Sequence, residues 1–204
     1  MRRLLITLLV LCVVFSVSSD VFTFDLIDKD SEPWDGQSTG VYANDNDGAT
    51  FSLEATMYAY LDGGYSAGSY LNSTSSDFGI NADGTTDASS LFDTNEGAEA
   101  LWVKFNYAVT IKSIVVSDFS SGVETGAYQV ADGSVSQFTD SGEYVINTTL
   151  IKDDFFKVIA VDEGTGNGWR MNSFTVEAVP EPATMSMIGI AGALALLVRR
   201  RLCV

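Results

Sequence analysis

From residue 20 to about residue 178, apolar and polar side chains alternate one by one in short runs. An alternation of period two places one set of side chains on one face of an extended strand, whereas a helix repeats every three to four residues. Residues 20–28 put Phe22, Phe24 and Leu26 on one face. Residues 50–60 put Phe51, Leu53, Ala55 and Met57 on one face and Ser52, Glu54 and Thr56 on the other. Residues 101–109 put Leu101, Val103, Phe105, Tyr107 and Val109 inward, with Lys104 and Asn106 outward. Residues 111–119 and 155–161 are more continuously apolar, as in strands covered on both faces. Residues 123–130 form a weaker candidate. Residues 143–149 follow the turn formers Asp140-Ser141-Gly142, and residues 169–178 close with Phe174, Val176 and Ala178 in phase. Asp47-Gly48, Asp62-Gly63-Gly64, Asp83-Gly84, Asp132-Gly133 and the glycine-rich stretch from Gly164 to Gly168 suit tight reversals. Many short strands joined by such turns predict an all-β domain over residues 20–178. Its expected form is an antiparallel β-sandwich, jelly-roll-like, with residues 62–94 as long loops at one end and at most a short strand among them.

Such a domain must be held by its apolar core. The only two cysteines, Cys12 and Cys203, lie in the terminal segments, so the domain has no disulfide framework and no thiol nucleophile. The chain has no histidine, which removes the commonest neutral-pH general base and the commonest zinc ligand. Its 46% hydrophobic and 19% charged residues exclude a disordered polymer. Charge is unevenly spread: residues 20–179 hold 26 acids against 6 bases, a net of −20. That surface repels nucleic acid and anionic lipid. It suits cations, neutral sugars or simple solubility.

The two ends are apolar. Arg2 and Arg3 precede an apolar run over residues 4–15, and Ser16 to Ser19 supply small residues, with Val17 and Ser19 placed for cleavage before Asp20. Residues 1–19 therefore read as an export signal. The run is short for a membrane span, which needs about 20 residues. Cys12 follows Leu11 rather than a small residue, so no lipid anchor is expected. At the other end, residues 179–204 hold three pieces in order. Pro180, Glu181 and Pro182 end the last strand, because proline removes backbone donors and restricts the residue before it. An uncharged, mostly apolar run follows over residues 183–198, and Arg199, Arg200 and Arg201 close it. An apolar helix ending in a basic cluster stops in a membrane with the arginines on the cytoplasmic side.

This tail resembles the PEP-CTERM sorting signal of Gram-negative bacteria, in which a Pro-Glu-Pro motif, a hydrophobic helix and an arginine-rich end follow one another. The resemblance implies that Pro180, Glu181 and Pro182 are the recognition motif and that Arg199, Arg200 and Arg201 form the retention anchor. It implies an exosortase partner, a membrane enzyme acting as transpeptidase or processing protease. It further implies a cell-surface or extracellular location in contact with exopolysaccharide and biofilm matrix. Leu202-Cys203-Val204 after the arginines depart from the pattern. The stretch Phe78-Gly79-Ile80-Asn81, followed by Asp87, Asp93 and Glu96, is similar to the domains of short proteins of this kind and brings no activity with it.

Three groups of residues carry candidate chemistry. Asp45 and Asp47, in an Asn/Asp run ended by Gly48, resemble the start of a calcium loop, since Ca²⁺ takes six to eight oxygen ligands on a flexible turn. The twelfth place counted from Asp45 is Thr56, so the loop is not an EF-hand. An ordinary Asx-rich turn is the other reading. Asp83 and Asp87, with Asp93 and Glu96, form a second acidic loop that fits either calcium or a carboxylate pair for glycan hydrolysis. Tyr58 and Tyr60 fall on the face opposite Leu53 and Met57. They offer either a sugar-stacking surface, together with Trp34, Trp102, Trp169, Tyr65 and Tyr70, or ordinary cover for a sheet face. No phosphate loop, nucleophile elbow, CxxC pair or dinucleotide fingerprint occurs. The expected function is a non-enzymatic surface or matrix protein. A carbohydrate-binding module with or without calcium is the alternative, and a secreted glycan hydrolase follows it.

Overall fold

The computed structural model describes residues 19–29, 32–44, 52–61, 64–65, 69–82, 91–94, 97–119, 124–162 and 168–179. Thirteen strands run through them: β1 (Val21–Asp25), β2 (Thr39–Asn44), β3 (Leu53–Leu61), β4 (Gly64–Tyr65), β5 (Ser69–Ser73), β6 (Phe78–Ala82), β7 (Glu99–Phe105), β8 (Val109–Ser117), β9 (Thr125–Val130), β10 (Ser136–Phe138), β11 (Gly142–Leu150), β12 (Phe156–Asp162) and β13 (Arg170–Ala178). All pairings are antiparallel. A four-stranded sheet has the order β1-β13-β8-β11. A seven-stranded sheet has the order β10-β9-β12-β7-β3-β2, with β4 added beside β3, and β5 and β6 form a separate pair.

The two large sheets face each other across an aromatic core. Phe24 of β1 stacks on Phe174 of β13 at 4.8 Å, and Phe174 meets Phe105 of β7 at 6.1 Å and Phe156 of β12 at 6.4 Å. Each buried aromatic removes about 150–250 Å² from water, which is how a domain without disulfides gains its cohesion. The order gives an antiparallel two-sheet sandwich. It does not by itself give the jelly-roll-like winding expected from the sequence.

The alternation read from the sequence places Leu53, Ala55 and Met57 of β3 and Leu101, Val103 and Phe105 of β7 in the core. Three differences stand out. Residues 101–109 are not one strand: β7 ends at Phe105, the chain turns over Asn106 to Ala108, and Tyr107 is 39% exposed rather than inward. Residues 69–82 are not loop but the β5–β6 hairpin. The apolar alternation of strand β2 is hard to see because its inward positions are Gly40, where a Cβ would lie only 1.9 Å from the Cβ of Trp34, and the half-buried Tyr42, while Val41 points out.

Candidate functional site

Both ends of the domain leave from one pole. Val21 pairs with Glu177 at the edge of the four-stranded sheet. The Ala178 amide donates to the Asp20 carbonyl and the Val179 amide to the Ala108 carbonyl, each at 2.9 Å. The expected sorting residues Pro180, Glu181, Pro182, Arg199, Arg200 and Arg201 lie outside the described residues, as do the apolar run at 183–198 and residues 1–18 of the expected export signal. Among the described residues no helix is long and apolar enough to cross a membrane.

The calcium candidates Asp45, Asp47, Asp83 and Asp87 also lie outside the described residues. Among those described, no group of three or more His, Cys, Asp or Glu side chains is arranged to hold a metal ion. Asp93 is described and buried, and its amide donates to Glu99 Oε2 at 2.9 Å.

Tyr58 and Tyr60 stand on the outer face of the seven-stranded sheet, both half-buried. The register sets Tyr58 opposite Trp102, Trp102 opposite Lys157, and Lys157 opposite Gln129, so one row crosses four strands. Tyr60 stacks on Trp102 with ring centroids 4.2 Å apart. Phe155, just before β12, meets both Trp102 at 5.3 Å and Tyr58 at 5.9 Å, edge to face. Lys157 Nζ lies 4.5 Å from the Trp102 ring centroid and donates to Gln129 Oε1 at 3.3 Å. Lys104 Nζ lies 5.5 Å from the Tyr58 ring centroid. Hydrogen bonding to Tyr58 is the main cause that raises the Lys104 ammonium above the usual lysine value. The result is a continuous aromatic surface with two amines over it.

Trp34 and Trp169 belong elsewhere. Both are core residues at 1% exposure, and Trp169 stacks on Phe92 at 4.5 Å. Trp102 and Lys104 were legible as partners of the tyrosines, because Leu101 and Val103 point inward and positions between them must point out. Phe155 was not, because residues 155–161 read as one continuous apolar run that assigns no face, and β12 starts only at Phe156.

Residues 178–201 match the family model of the PEP-CTERM protein-sorting motif. A motif of this kind indicates an exported protein processed by an exosortase. The match opens at Ala178, the last residue of β13, so the sorting segment begins where the sandwich ends. No curated protein and no solved structure matches the chain.

Proposed function

We propose that this chain is a non-enzymatic surface or matrix protein whose β domain is carried outside the cytoplasm by its sorting tail and there associates with exopolysaccharide. Residues 183–198 hold it in the membrane at first, with Arg199, Arg200 and Arg201 on the cytoplasmic side. Exosortase processing at the Pro180-Glu181-Pro182 motif then delivers it to the cell surface or beyond. The observation that carries this reading is the sorting match abutting β13, with no spacer between the last hydrogen-bonded strand residue and the motif. The test is intact mass and location in the native host, with and without Pro180, Glu181 and Pro182. Loss of mass at both ends, with surface display or release that depends on the motif, is expected. An uncut, membrane-embedded C-terminus in both cases would leave a plain anchored sandwich instead.

The aromatic row favours a second reading, a carbohydrate-binding module. Flat aromatic faces on a rigid sheet suit the apolar C–H faces of sugar rings at low entropic cost. Glycan hydrolysis has less support, since Asp93 of the acidic loop is buried at 1% exposure.

A further inference from the structure

Of the two amines on the aromatic row, Lys104 feels the charge of Asp153 at longer range, and neither stands in a direct ion pair with a described acid. Lys112, by contrast, pairs with Glu177, and Arg170 with Asp77 and Asp118. The Trp102 indole N–H is buried and has no acceptor among the described residues. Along the row Tyr58, Trp102, Lys157 and Gln129, and along the rows on either side of it across β3, β7, β12 and β9, no described position is Asp or Glu. This happens in a domain where acids outnumber bases 26 to 6. The acids nearest to the rings, Glu54 of β3 and Asp153 before β12, lie outside these rows. Two ammonium groups beside the rings suit a ligand that carries negative charge, because charge-assisted hydrogen bonds are the stronger ones.

We propose that this face binds an anionic polysaccharide of the uronic-acid type, with sugar rings resting on Tyr58, Tyr60 and Trp102 and carboxylates meeting Lys104 and Lys157. The inference rests on the carbohydrate-binding reading and fixes the charge of its ligand. Tyr58 to Lys157 spans two strand spacings, about 10 Å, so the contact is a track rather than a single point. The acidic body repels a polyanion at long range, but salt screens that repulsion beyond about 8 Å at physiological ionic strength. A polymer strand is narrow enough to follow these rows, with Asp153 to one side at Lys104. A lipid bilayer is a plane, and it would also meet Glu54 further along β3 and Asp153, which lies close enough to act on Lys104.

The experiment measures binding of the full chain to alginate, to a neutral β-linked glucan and to anionic phospholipid vesicles. EDTA is present throughout, so that calcium cannot bridge two sets of carboxylates. Binding to alginate over the neutral glucan is expected. It should weaken roughly tenfold in the Lys104→Gln/Lys157→Gln double variant, the loss of two exposed charge contacts. It should also weaken in Tyr60→Ala, with the melting temperature recorded to show that each variant is folded. Equal binding of both glycans, unaffected by the lysine changes, would overturn the charge assignment and leave the sugar platform standing. No binding to either glycan would overturn both readings. Lysine-dependent binding to vesicles without binding to alginate would replace the glycan with a membrane.

Discussion

At Glu177 the two ends of the domain meet. Its carboxylate accepts from the Ser19 hydroxyl and, at 3.1 Å, from Lys112 Nζ. Those donors, Ser19 first, hold its pKa below the usual glutamate value. A carboxylate with a depressed folded pKa adds stability above its unfolded pKa and loses it as pH falls through the folded one, so the contribution disappears on the acid side. Both partners are about one-third exposed, and solvent-screened pairs of this kind are worth little. The export cleavage expected after Ser19 would remove that donor and leave Lys112. Ser19→Ala should therefore move the Glu177 carboxyl back toward its ordinary value, while the melting temperature at neutral pH stays nearly constant. An NMR titration of the Glu177 side chain reads this directly. An unchanged midpoint would mean that Lys112 alone sets the charge state.

At the scale of elements, the β5–β6 hairpin shows what periodicity reveals and what it misses. Its inward positions on β5 are Ser69, Leu71 and Ser73, so a polar sequence is nonetheless buried. Ser73 replaces apolar contact with hydrogen bonds: Oγ donates to the Leu26 carbonyl at 2.7 Å and accepts from the Lys29 amide at 3.0 Å. The Ser73 amide donates to Asp35 Oδ1 at 2.8 Å. Nothing in the residue pattern distinguishes that arrangement from a solvated loop, which is why residues 62–94 read as loop. Strand β2 hid for a related reason, with Gly40 inward against Trp34 and Val41 outward at 54% exposure. β3, β7 and β13 were legible because their inward positions are filled by Leu, Met, Val and Phe. Ser73→Ala should cost about 1–3 kcal/mol, since it strands a buried carbonyl and a buried amide together. Thr23→Ala, at the exposed 3.2 Å pair with Thr175, should cost far less. Urea unfolding midpoints of the two variants decide the matter, and equal shifts would show that the hairpin is not anchored through Ser73.

On the scale of the whole molecule, charge and chain ends divide the labour. The cohesive part is an apolar core between two sheets. The addressing part starts at Ala178 and was readable from Pro180-Glu181-Pro182, the apolar run and the arginines, because a sorting signal is recognised as linear sequence. The platform was readable only in part, since it depends on register across β3, β7 and β12. Around that core sits a net charge of −20 over residues 20–179. Like charges on a compact body repel one another more than on an expanded chain, so folding works against this charge. Screening should relieve the repulsion, and the melting temperature should rise between about 0.02 and 0.2 M sodium chloride, over which the Debye length falls from roughly 20 Å to below 10 Å. Each kcal/mol of relieved repulsion should add about 2–4 °C for a chain of this size. A flat or falling curve would show that the acids stand too far apart on the surface for their repulsion to weigh on folding. Calcium chloride at matched ionic strength separates screening from site binding. An equal rise means screening alone, whereas a rise that continues with calcium concentration follows the mass-action stabilisation of a bound ligand. In the second case the candidates are the two acidic segments that the sequence singles out, around Asp45 and Asp47 and around Asp83 and Asp87. Asn replacements there should return the calcium curve to the sodium one.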